Sequence, residues 1–133
     1  MMPLTIHRYG SSNARTVVLV HGLTEAGTTW PDLVGHWGDD WHVLAPDLRG
    51  HGQSPRFTED ELATAPEVLL ADVVTVVDAQ TEPVALVGHS LGGLLALRAA
   101  GCGCPAGQGL GARARGPGPA DRGSHARPGV RRR

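Results

Sequence analysis

Gly88-His89-Ser90-Leu91-Gly92 sets a serine between two glycines in the pattern G-x-S-x-G. An apolar run precedes it and a helix-forming run follows, which is the context the pattern requires. A sharp strand-to-helix turn at this point projects the Ser90 hydroxyl above the sheet. The flanking Gly88 and Gly92 let neighbouring backbone approach closely. The N–H groups and positive dipole end of the following helix then face charge developing on a reacting oxygen. The chemistry is nucleophilic attack by a hydroxyl; the plainer alternative is a Gly/Ser turn. A second group, His21-Gly22, ends another apolar run. A glycine there frees the next backbone N–H, that of Leu23, to face the same end of the sheet, where a second oxyanion donor would sit. Taken alone, the pair reads as a turn glycine beside a packed histidine. A third group is Asp47-Leu48-Arg49-Gly50-His51-Gly52-Gln53-Ser54. Here Asp47 and Arg49 are expected to pair and hold a tight loop. The segment does not follow G-x-G-x-x-G, so it reads as structural and not as a phosphate cradle.

The elements that must carry these groups are legible in the apolar pattern. Leu4–Tyr9 alternates weakly, as a first strand. Thr16–Val20, Trp41–Ala45 and Pro83–Gly88 are short continuous apolar runs, as in strands buried on both faces. A helix is expected from about Pro31, a favourable first-turn residue, to Trp37. Between Glu61 and Ala79, apolar residues at 62, 65, 69, 73, 76 and 77 follow a helical period. Leu91–Ala100 is a further helix. The order β-β-α-β-α-β-α implies an α/β fold with a mostly parallel sheet and helices on both faces.

Length and composition narrow the classes. The 133 residues suit about one domain, and 41% hydrophobic content is too high for a wholly disordered chain. No apolar run reaches the ~18 residues of a membrane span, and no signal peptide is visible, so a cytoplasmic location is the default expectation. Residues 1–100 hold 5 Arg and 12 Asp or Glu, whereas residues 101–133 hold 7 Arg and 1 Asp. The last 33 residues also contain 9 Gly and 4 Pro. They are too poor in apolar side chains to offset their ordering entropy, and are expected to be disordered. Residues 1–100 therefore form the folded unit and 101–133 a tail. Cys102 and Cys104 make a C-x-C without further ligands, so no metal site is expected. The Arg-rich tail has no aromatic platform and implies no specific nucleic-acid partner.

Together, His21-Gly22, the D-L-R-G-H-G-x-S loop and G-H-S-L-G-G resemble the α/β-hydrolase superfamily, in its motif order, over residues 4–100. The resemblance implies Ser90 as nucleophile and the backbone N–H groups of Leu23 and Leu91 as the oxyanion hole. His21, Gly22, Asp47, Arg49, Gly88, His89 and Gly92 would support these motifs. It implies hydrolysis of an ester, or of a related acyl or C–C bond, through a covalent Ser90 intermediate. No metal or organic cofactor is implied. The epoxide hydrolase and haloalkane dehalogenase branches share the loop but carry Asp at the nucleophile position.

The family's acid and base follow the nucleophile in the order Ser, Asp/Glu, His. Only Asp121 and His125 come later here, in the Gly/Arg/Pro tail, and they are not expected to form a triad. His89, beside Ser90, is expected to point away from it. The site is thus expected to be incomplete and inactive as written; the alternative is a non-catalytic fragment. The tail resembles GC-rich codons read out of frame: dropping one nucleotide permits D-R-V-W-A-L-V-L-E-D-P-A from Gly107 onward. In the family's strand order, the Val84–Val87 strand would then be an exposed apolar edge, open to self-association.

Overall fold

The computed structural model describes residues 2–101. The expectations for Cys102, Cys104, Asp121, His125 and the arginine-rich tail lie outside these residues. The described elements are β1 (Ile6–Gly10), β2 (Arg15–Val20), a single 3-10 turn (Gly27–Thr29), α1 (Pro31–Trp37), β3 (Trp41–Pro46), α2 (Glu59–Leu62), α3 (Ala65–Asp78), β4 (Ala85–Gly88) and α4 (Leu91–Ala99).

The four strands form one sheet in the order β1-β3-β2-β4. β2 runs parallel to both β3 and β4, and β1 is antiparallel to β3. The sheet is thus mostly parallel with helices on both faces, as the element order implies. β2 sits at the centre and shows why a strand buried on both faces reads as continuous Val and Leu. Val18 and Val20 face a core shared with Leu44, Leu48, Val73 and Leu95, under α3 and α4. Val17 and Leu19 face the opposite core, with Val34 of α1, Val43 and Ala45, bordered by Trp30, Trp37 and Trp41. Successive strand side chains point to opposite faces, so each residue of the run has its own core to fill.

The expected helix over 61–79 is in fact two. Thr58 accepts from the Glu61 N–H and Glu61 returns a bond to the Thr58 N–H, a capping box that opens the short α2. Pro66, in the first turn of α3, cannot supply the N–H that would continue α2, so the chain restarts there. Among the described residues β4 pairs with β2 alone. No described helix is long and apolar enough to cross a membrane.

Candidate functional site at the carboxyl ends of the strands

Ser90 sits between β4 and α4 with φ 53° and ψ −117°. It is the one non-glycine residue with positive φ among the described residues. That region is costly for any side chain with a Cβ, by about 1–3 kcal/mol, and persists only where the surroundings enforce it. Here they do. A Cβ at Gly88 would run into the Gly92 carbonyl, and one at Gly92 into the Val20 carbonyl. The two glycines let the first turn of α4 press against the ends of β4 and β2 at once. The His89 N–H extends the ladder to Val20 O (3.0 Å), and the Gly92 N–H closes the turn on His89 O (2.9 Å). Serine is a favoured helix cap, yet the Ser90 side chain makes no capping bond to α4. It is exposed. The Leu91 N–H lies in the first turn of α4, where N–H groups lack intrahelical acceptors.

The second group packs beside it. A Cβ on Gly22 would lie 3.4 Å from Ser90 Cβ and 3.2 Å from His89 Nδ1. His21 is fully buried. Its Nε2 accepts from the Leu48 N–H (2.9 Å), so its proton is on Nδ1, which donates to Gly22 O (2.7 Å). Burial pushes its pKa down, against the opposing pull of the Gly22 carbonyl. His21 therefore ties the Gly22 turn to the 47–54 loop as a neutral ring. Glu25 Oε2 accepts from the Gly22 N–H at 2.7 Å and lies 3.0 Å from His89 Nδ1. The Gly22 N–H, and after it His89, hold the Glu25 carboxyl below the usual carboxylate range. The His89 ring meets Glu25, and no described side chain hydrogen-bonds the Ser90 hydroxyl.

The expected Asp47–Arg49 pair does not form. The Leu48–His51 turn (His51 N–H to Leu48 O, 2.9 Å) sends the two side chains to different partners. Asp47 is buried and accepts from the Gly27 N–H (2.7 Å) and the Gln53 N–H (2.9 Å), with His7 Nε2 at 3.1 Å. Desolvation raises its pKa, but these donors outweigh it and the net shift is downward. Arg49 instead forks onto Asp72 of α3, with both N–H···O distances 2.9 Å and both side chains buried. The Asp72 hydrogen bonds raise the Arg49 pKa further.

The sequence gives no role to three residues of this arrangement: Glu25, Asp72 and His51, the last read only as part of the 47–54 loop. Asp72 did leave a signal. It lies three residues after Leu69 and four before Val76, on the apolar stripe of its helix, where a charge needs a buried partner. Glu25 and His51 lie in loops, where no periodicity reports which way a side chain turns.

A sequence model of the alpha/beta hydrolase family matches residues 17–133, which reaches past the 4–100 stretch that carries the motifs. The lipase LipV of Mycobacterium tuberculosis is 38% identical over 104 residues, 75% of this chain and 37% of that one. Among solved structures, a thioesterase domain from the curacin biosynthetic pathway superposes with TM-score 0.65 at 32% identity, covering 71% of this chain and 36% of that one. Epoxide hydrolase A from Mycobacterium thermoresistibile superposes with TM-score 0.61 at 33% identity, covering 71% and 30%. The chain thus spans about a third of the length of the proteins it matches.

Proposed function

The chain belongs to the alpha/beta hydrolase family, and on that premise we propose that residues 1–100 carry the nucleophile half of a serine hydrolase site acting on an ester or a related acyl or C–C bond. Ser90 is the nucleophile, on the strained strand-to-helix turn known as a nucleophile elbow. The Leu23 and Leu91 N–H groups are the oxyanion donors. His21, Gly22, Asp47, Arg49, Gly88, His89 and Gly92 build the frame around them. The observation that carries this reading is the positive φ of Ser90, whose side chain makes no capping bond to the helix it precedes.

The nucleophile's identity also selects the bond attacked. Attack of Ser90 Oγ on an acyl carbon forms an ester and expels the leaving group, and water can hydrolyse that ester. Attack on an epoxide carbon would form an ether, which water does not cleave under mild conditions. Serine at position 90 therefore supports the lipase and thioesterase relatives as guides over the epoxide hydrolases.

The second reading is that this chain alone is not a working enzyme. A serine hydroxyl needs a base within hydrogen-bond reach, and no described side chain hydrogen-bonds Ser90 Oγ. Self-association along β4 belongs to the same reading. A fluorophosphonate probe separates the two. Rapid labelling of the full chain, lost in Ser90→Ala, supports an active site; absence of labelling in folded protein supports the non-catalytic reading. The frame-shift account of 101–133 is tested by the coding DNA, which must encode an apolar strand one base out of register.

A further inference from the structure

Three successive peptide planes of the Gly22–Thr24 turn are each held by a side chain, two from the turn's own neighbours and one from the 47–54 loop. Glu25 Oε2 accepts the Gly22 N–H at 2.7 Å. His21 Nδ1 donates to Gly22 O at 2.7 Å. His51 Nε2 lies 2.6 Å from Leu23 O, while its Nδ1 faces Arg49 O at 3.1 Å. A carbonyl only accepts, so the closer His51 nitrogen donates to Leu23 O. In a planar trans peptide the N–H points opposite to the preceding C=O. Fixing Gly22 O therefore fixes the direction of the Leu23 N–H, provided the planes on either side cannot rotate. The Leu23 side chain supplies no anchor, since it is 66% exposed.

We propose that Glu25 and His51 are positioning residues that lock the planes on either side of the Leu23 amide and so aim its N–H toward the oxygen that develops charge beside Ser90. The proposal rests on the nucleophile reading above. Glu25 also couples the two halves of the site, because the same Oε2 meets His89 Nδ1 at 3.0 Å, one residue before Ser90.

The test uses the ¹⁵N-labelled full chain and the variants Glu25→Ala, Glu25→Gln and His51→Ala. Hydrogen exchange of the Gly22 amide reports the Glu25 bond. The Thr24 amide nitrogen shift reports the bond to Leu23 O. The rate of Ser90 labelling by a fluorophosphonate reports the aim of the donor. Glu25→Ala is expected to speed Gly22 exchange and slow labelling, each by about tenfold or more, the scale of one lost hydrogen bond. Glu25→Gln, whose side-chain oxygen still accepts, is expected to restore both. His51→Ala is expected to move the Thr24 signal and slow labelling. Unchanged Gly22 exchange in Glu25→Ala overturns the proposal, as does a labelling rate that ignores a loosened turn. If the parent chain is folded yet never labelled, the nucleophile reading fails by itself. Gly22 exchange and the Thr24 shift then still decide whether Glu25 and His51 hold the turn.

Discussion

Replacing Asp72 by alanine strands the Arg49 guanidinium, whose side chain is only 3% exposed. Its other partners are weak: Glu61 Oε1 at 3.8 Å, on a side chain 24% exposed, and the Met2 carbonyl at 3.3 Å. Removing one partner of a buried pair costs about 3–5 kcal/mol, because the other charge stays buried without compensation. Glu61 can swing toward the vacated site, which places the expected loss near the low end, about 3 kcal/mol. A folded unit of this size has roughly 5–15 kcal/mol in all. With a urea slope of about 1.5 kcal/mol/M, the midpoint falls by about 2 M. The emission of Trp30, Trp37 and Trp41 follows the transition. A double variant, Arg49→Met with Asp72→Leu, removes both charges and is expected to recover to within about 1 kcal/mol of the parent. An Asp72→Ala loss below about 0.5 kcal/mol refutes the reasoning, since that is the scale of a solvated surface pair.

Two further outcomes follow from the same geometry. Ser90→Gly relieves the positive φ and is expected to stabilise the fold by about 1 kcal/mol while abolishing probe labelling; the strain relieved exceeds the added chain entropy of glycine. A melting temperature at or below the parent's contradicts a strained turn. In acid, His21 and Asp47 act in the same direction. Each has a folded pKa below its ordinary value, so each contributes stability that is complete above that value and is lost as pH falls through the folded one. Stability is therefore expected to decline first below the ordinary histidine value near 6.5 and again below the ordinary aspartate value near 3.8. His21→Gln is expected to flatten the first step in urea midpoints measured across pH. An unchanged first step assigns it to another group.

The positions of the site groups along the chain were legible because they depend on local rules. Val17–Val20 and Val43–Ala45 read as strands since each residue must fill one of two cores. Gly88 and Gly92 bracket Ser90 because any Cβ at either position would strike backbone, and a serine flanked this way marks the turn without knowledge of the rest of the fold. The division of Glu61–Ala79 was missed although its causes are local, the Thr58 capping box and Pro66, because apolar spacing continues across the break.

Partners across the fold followed a different logic. Asp47 and Arg49, two residues apart, invite a local pair, but the Leu48–His51 turn aims them apart. Desolvation then requires each to find partners, and tertiary packing supplies the Gly27 N–H for one, beside the Gln53 N–H of its own loop, and Asp72 for the other. The same holds for His21, whose proton position is set by the Leu48 N–H 27 residues away. It holds for His51, which reaches Leu23 O from 28 residues away, and for Glu25 in its contact with His89. Residue type and spacing determined where the serine turn and its glycines sit on the chain. Which polar groups hold them was decided by burial, since a buried donor or acceptor takes whatever partner the packed fold brings within 3 Å.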